Sequence, residues 1–414
     1  MRRILLVLTA LLLGARAGAF SLPERRRDQF LGDPGRVLTP YAYHLPGIGW
    51  GYGVLGALTN VGGGHADFAG TFFFGDADGQ AASVDQVHLV PRRLVLDAGF
   101  AHLSRASFQS YSFRGMDAGQ DEYSLAEFGG MWFAGSRLTA TADERRFEAF
   151  AGYYMGRAEL KALRERDGTV ITPATASRSY ELATVILGLR GDLTDDAMDP
   201  RRGARLEPSL WRSNRRGNGP EYYHLDWALT AYAPVGRRST WAFHLMRSDA
   251  FVLAKGETDP AALARDAGVD CAAVPDPARR DQCRRYLDTL AAQNAYGTAT
   301  MLGGFNRLRA YPEGRFRGAH AELAGTELRW NLTDEERPFD VYLVKDIRTA
   351  VQVAFFYEAG TVADSRGQLW RKVRHAAGTG VRIVTASGLV YRLDLGKGDE
   401  GWQPSVFFQY PWEL

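Results

Sequence analysis

The sequence predicts an all-β chain: a 16-stranded antiparallel transmembrane β-barrel with one long loop folded into its lumen. Three observations carry this reading. Hydrophobic residues recur with a period of two rather than 3.6 along most of the chain, the signature of strands with unlike faces. The runs are about ten residues long, the length a tilted strand needs to cross a bilayer, whereas strands in general average about five or six. One face of each run tends to end in Trp, Tyr or Phe and the other carries full charges, as an interfacial girdle and a wet lumen require. A soluble sandwich would also alternate, but it would not charge its inner face.

Composition agrees. Aromatics make up 12% of the 414 residues and Gly accounts for 46 of them, which suits strands and tight turns better than a helical bundle. A hydrophobic content of 45% excludes a disordered chain. A net charge of +2 argues against a nucleic-acid partner.

Residues 1–19 read as a signal peptide. Arg2 and Arg3 precede the apolar run Ile4 to Leu13, and Ala15-Arg16-Ala17 and Ala17-Gly18-Ala19 offer two cleavage frames. The alternative, a membrane anchor, would need about 20 apolar residues. Residues 20–48, with "ERRRD" at Glu24 to Asp28, are expected to form a short periplasmic segment, with no room for a further folded domain. The barrel is placed at 49–414.

Candidate strands fall near 49–58, 67–76, 82–90, 93–104, 122–133, 136–142, 146–160, 180–193, 203–215, 221–234, 239–254, 318–332, 349–359, 375–385, 388–397 and 403–412. The total is even, as bacterial barrels require. In "YYHLDWALTAYA", Tyr223, Leu225, Trp227 and Leu229 oppose His224, Asp226 and Thr230. In "TELRWNL", Leu328 and Trp330 oppose Glu327, Arg329 and Asn331. In "VQVAFFYEAG", Val351, Val353, Phe355 and Tyr357 oppose Gln352 and Glu358; in "LVYRLDLG", Leu393 and Leu395 oppose Arg392 and Asp394.

The interval 255–317 breaks the pattern and reads as one very long connection. Connections that long are usually functional or disordered, and in such barrels the long ones are extracellular. Its Ala-rich first part contains the only cysteines, Cys271 and Cys283. In an exported chain a local disulfide is the natural reading, with two free buried thiols as the alternative. Its last part is "RLRAYPEGRFRG", Arg307 to Gly318, with four arginines in twelve residues.

These residues carry a resemblance. "LGGFNRLRAYPEGRFRGAHAELAGTELRW" is similar to the long-loop segment of the BamA/TamA superfamily, the bacterial surface antigen barrels: Gly303-Gly304, then the tip Arg309-Ala310-Tyr311, then Glu327-Leu328-Arg329. "FYEAG", with Gly360, resembles the family's Phe-x-Asp-x-Gly strand, and "GTGVR", "YRLDLG" and "DDAMDPRRGARLE" resemble neighbouring elements. Clear similarity covers roughly residues 180 to 414. Ala310 stands where the family commonly has Gly, and Glu358 where Asp is commoner. The terminal "SVFFQYPWEL" places Val406, Phe408, Tyr410 and Trp412 on one face, like the family's insertion signal, and ends in Leu414.

The resemblance implies a loop-tip lock. Arg309, beside Tyr311, pairs with Glu358 on the inner wall, and the remaining arginines of the loop face acids in the lumen. The plain alternative is one solvated charge among several. The resemblance also implies a role in outer-membrane protein or lipid assembly, or in transport, with a seam between the first and last strands as the working element. Periplasmic POTRA domains, usual in members that handle proteins, find no room here. The alternative is a passive pore or structural surface barrel plugged by its own loop. The expected partners are outer-membrane lipid and an outer-membrane or periplasmic protein.

Nothing points to an enzyme or a cofactor. GxSxG, HExxH and Walker motifs are absent. His224 and His244 both face inward on adjacent strands, but nothing supplies a third ligand, so no metal is expected.

Overall fold

The computed structural model describes residues 29–412 apart from 31, 33, 112, 165, 167–168, 173–177, 216–218, 268, 334–348 and 386–389. The predicted signal peptide therefore lies outside the described residues. Sixteen long strands form one antiparallel sheet that closes on itself. They are β1 Gly35–Leu45, β2 Gly49–Thr59, β3 Asp67–Gly75, β4 Ala77–Val90, β5 Leu94–Tyr111, β6 Tyr123–Ala142, β7 Phe147–Arg164 and β8 Arg178–Asp192. There follow β9 Gly203–Ser213, β10 Glu221–Val235, β11 Ser239–Ala254, β12 His320–Asn331, β13 Thr349–Ala363, β14 Arg374–Thr385, β15 Val390–Gly398 and β16 Gly401–Phe408. A three-residue piece, Val170–Thr172, extends the edge of β7.

Each strand pairs with its sequence neighbours, so the chain folds by hairpins alone. With an even number of strands, both ends of the sheet lie at one rim and the long connection between β11 and β12 lies at the other. Alternation decides the faces. On β10, Trp227 is exposed between buried Asp226 and Ala228; on β13, Phe355 and Tyr357 are exposed while Phe356 and Glu358 are buried. Trp50, Tyr52, Phe72, Trp330 and Trp402 are among the outward residues left exposed, an apolar exterior that only a nonpolar surrounding would satisfy. No helix among the described residues is long and apolar enough to cross a membrane, which says nothing about strands.

Two strand assignments differ from the sequence reading, and their effects on the count cancel. The barrel begins at Gly35, not at residue 49, because β1 lies inside the expected periplasmic segment. Pro40 hides it, since proline removes a ladder donor and fits only edges or bulges. Tyr41 and Tyr43 face inward, where their hydroxyls bond Thr71 Oγ1 at 2.8 Å and the Ala77 carbonyl at 2.6 Å. Conversely, 122–133 and 136–142 are one strand, β6. Gly130 at φ +65° sits in a register shift between Gly129 and Trp132, so the glycines mark a bulge rather than a turn.

Closure is uneven. β1 pairs with β2 along its full length, from Gly35↔Thr59 to Leu45↔Gly49. With β16 it is in register at a single pair, His44↔Val406. The seam is otherwise held by side chains. His44 Nδ1 lies 2.7 Å from the Pro404 carbonyl, the Tyr391 hydroxyl donates to the Ala42 carbonyl at 2.8 Å, and the Tyr41 and Phe408 rings meet edge to face. Pro404 has no N–H to offer β1.

Candidate functional site

The connection between β11 and β12 starts with two helices, α1 Pro260–Ala267 and α2 Pro277–Tyr296. Asp276 caps α2 by accepting from Arg279 N–H, with Pro277 opening the first turn. Cys271 and Cys283 form a disulfide, and Cys271 packs with Leu263 and Leu287 in a small core of its own. Gly297 at φ +72° ends α2 and turns the chain toward the barrel.

From Thr298 to Arg317 the chain makes a narrow hairpin. Leu302 and Phe316 exchange both backbone hydrogen bonds, Gly303 N–H donates to Arg307 O, and Gly304 N–H to Tyr311 O. Both glycines have φ near +105°. A Cβ on Gly303 would come within 2.2 Å of the Pro312 carbonyl, and one on Gly304 within 1.8 Å of the Glu313 carboxylate. No other residue fits either turn.

The tip, Leu308 to Tyr311, packs on the inward faces of four adjacent strands, β12 to β15. Arg309 is fully buried. Its Nε donates to Glu358 Oε1 at 3.0 Å and its backbone N–H to Glu358 Oε2 at 2.9 Å. Nη1 donates to Glu327 Oε2 at 2.9 Å and to Asp394 Oδ2 at 3.0 Å. The guanidinium lies 3.6 Å over the Phe356 ring, a stacked geometry that arginine alone among cations provides. Burial opposes the charge on Arg309, but Glu358, Asp394 and Glu327 outweigh it and hold the group above its ordinary pKa.

Sequence reasoning pairs Arg309 with Glu358 only. The site is larger. Arg382 Nη2 reaches Glu327 at 2.7 Å, Arg329 Nε reaches Glu327 at 2.8 Å, and Arg392 Nη1 reaches Asp394 at 3.2 Å. Arg392 also donates to the Phe305 carbonyl and to Asn306 Oδ1. Four arginines and three acids thus form one network with essentially no solvent access. Such a cluster is weak evidence for stability as such, since desolvation opposes it. What it does is fix position, because the partners sit on four strands and one loop.

Tyr311 donates to the His375 carbonyl at 3.1 Å and accepts from Asp399 N–H at 3.2 Å. Glycines on the wall make room for the tip. A Cβ on Gly360 would press on Leu302 and Leu308, and one on Gly396 would lie 2.5 Å from the Arg309 carbonyl. Gly396 was not singled out from sequence; its only signal is a glycine on the inward face of a regular strand.

The other loop arginines differ in how they meet acids. Arg315 pairs with Glu400 at 2.7 Å. Arg307 and Arg317 form no salt bridge among the described residues, and burial lowers the pKa of both. Arg317 donates instead to the Gly314 carbonyl. His224 and His244 face inward but bond Asp226 and Thr230 respectively, and no metal-holding group of side chains occurs among the described residues.

The chain end is a second departure. β16 stops at Phe408 rather than running to 412. Gln409, at φ +99°, turns the chain inward. Tyr410 then donates to Asp199 and Gln352, while the Trp412 indole donates to Glu358 Oε1 at 2.7 Å and stacks on His244. The alternation that put Tyr410 and Trp412 on one face with Val406 and Phe408 ends with the strand at Phe408, two residues before Tyr410.

No protein-family model matches the chain, and no curated protein matches it by sequence. Among solved structures, the barrel is similar to BamA from Haemophilus ducreyi lacking POTRA domains 1–3, at 12% identity and TM-score 0.48, over 91% of this chain and 69% of that one. It is also similar to CdiB from Escherichia coli, at 12% identity and TM-score 0.47, over 89% and 62%, and to CdiB from Acinetobacter baumannii, at 11% and 0.48, over 91% and 60%. The chain thus spans about six-tenths of each CdiB chain. These are likenesses of fold.

Proposed function

We propose that this chain is an outer-membrane barrel protein that assembles or transports outer-membrane proteins, with the β1–β16 seam as the part that opens and the Arg309 network as the part that stays. The observation that carries the reading is the contrast between these two. The seam has one residue pair in register, while a loop tip binds β12 to β15 together through buried charge. The resemblance of the loop motif to the surface-antigen barrels supports the same reading, and the apolar exterior fits a bilayer. Lipid surrounds the barrel, and a separate periplasmic protein would present the substrate.

The test is a seam lock. His44 and Val406 face each other across the seam, so His44→Cys with Val406→Cys should cross-link when oxidised. We expect the oxidised variant to reproduce the outer-membrane proteome of depleted cells, and reductant to restore the normal one. A proteome that is normal in depleted cells, together with large steady currents of the wild type in planar bilayers, would overturn the reading in favour of a passive pore.

A further inference from the structure

The inner wall is of two kinds. β9 to β15 present arginines and acids. β2 to β8 carry fewer charges, and on them a patch of mostly small or apolar residues, including Leu55, Ala69, Ala81, Ala101 and Gly135 with Thr71 and Ser83 among them, leaves a cavity of about 350 Å³. A water-filled lumen is polar, and this patch offers water few side-chain partners beyond Thr71 and Ser83. The volume lies within the range of small-molecule sites.

Tyr154 lines both this cavity and a neighbouring one of about 80 Å³, which Arg137, Phe150, Ser209 and Trp211 help to line. Arg137 lies two residues from Gly135 on the same face of β6. Its guanidinium stacks 3.7 Å over the Phe150 ring. It forms no salt bridge among the described residues, and its buried Nε has no hydrogen-bond partner. The nearby acids are already engaged: Asp97, the cross-strand neighbour of Arg137 on β5, accepts from the Gln86 N–H, Glu148 from Arg145 and Arg190, and Glu207 from Arg190. An arginine in a barrel interior with no carboxylate hydrogen-bonded to it is under-satisfied, and its planar donors suit an anion with two oxygens.

We propose that the β2–β8 wall binds one single-chain amphiphile with an anionic head, its alkyl chain in the apolar cavity and its head on Arg137. The site lies apart from the loop network and does not depend on what the seam does. A carboxylate and a phosphate monoanion would both satisfy the guanidinium.

Native mass spectrometry of the full chain, released from maltoside micelles after incubation with hexadecanoate, tests this. We expect one adduct per chain, and weaker retention of hexadecanol. Arg137→Gln should weaken hexadecanoate about tenfold or more while leaving hexadecanol unchanged. Ala101→Phe, which fills the cavity, should weaken both. If Arg137→Gln lacks the heat-modifiable folded band, Arg137→Lys replaces it and should still lose affinity for the acid. A parallel incubation with lysophosphatidylglycerol assigns the head: preference for it means phosphate, preference for hexadecanoate means carboxylate. The proposal is overturned if the wild type carries no adduct, if hexadecanol binds as tightly as the acid, or if Ala101→Phe retains the adduct in full.

Discussion

Arg309 holds Glu358 through two independent donors, its side-chain Nε and its own backbone N–H, each on a different carboxylate oxygen. A side-chain substitution at 309 therefore removes only part of the contact. It also leaves three arginines facing three acids. Removing Glu358 leaves four arginines facing two.

The two single variants should consequently differ. Glu358→Ala is expected to cost about 3–5 kcal/mol, the range for uncompensating a buried ion pair. Arg309→Ala should cost less, and the double variant no more than Glu358→Ala. Heat-modifiability gels of the three proteins measure this. Fully additive losses would mean that the residues do not interact.

Gly396→Ala tests the closeness of tip and wall. Its Cβ would meet the Arg309 carbonyl at 2.5 Å, so the tip must shift. Overpacking of this kind costs about 1–3 kcal/mol. The same substitution at Gly191, where a Cβ would meet nothing within 4 Å, should leave the unfolding temperature unchanged.

Trp412→Phe keeps a ring against His244 but deletes the donor to Glu358. A hydrogen bond to a charged group contributes about 1.5–3 kcal/mol, and the loss should appear as a lower unfolding temperature. If Trp412 acted only as an outward insertion signal, the folded protein would show no change.

Cys271→Ser with Cys283→Ser should act locally. The disulfide packs with Leu263 and Leu287, away from the Arg309 network. Closing a short loop contributes about 3 kcal/mol to the element that contains it. Faster proteolysis of α1 and α2, with an unchanged barrel band, is the expected result.

Much of this was readable in the sequence, for a physical reason. A period of two assigns every charged residue on a strand to a face, so Glu327, Glu358, Arg392 and Asp394 could all be placed inward. What alternation does not carry is convergence. Which inward residues meet depends on register across four strands and on where the loop turns, so the triple engagement of Arg309 was invisible. β1 was hidden by Pro40, and the fate of Tyr410 and Trp412 by one residue, Gln409, whose positive φ no pattern announces.

The distribution of stiffness around the wall follows from the single-pair closure. A cylinder laced fully at every joint but one is mechanically a rolled sheet, and a rolled sheet yields from its free margin. Here one margin, β16, adjoins the strands clamped by the loop tip. The other, β1, adjoins strands that no loop tip clamps, crossed from β1 by the single hydroxyl contacts of Tyr41 with Thr71 and Tyr43 with Ala77. The two margins are therefore unequal partners: strain applied at the closure is taken up on the β1 side, and the β12–β15 quarter serves as the fixed frame against which it bends.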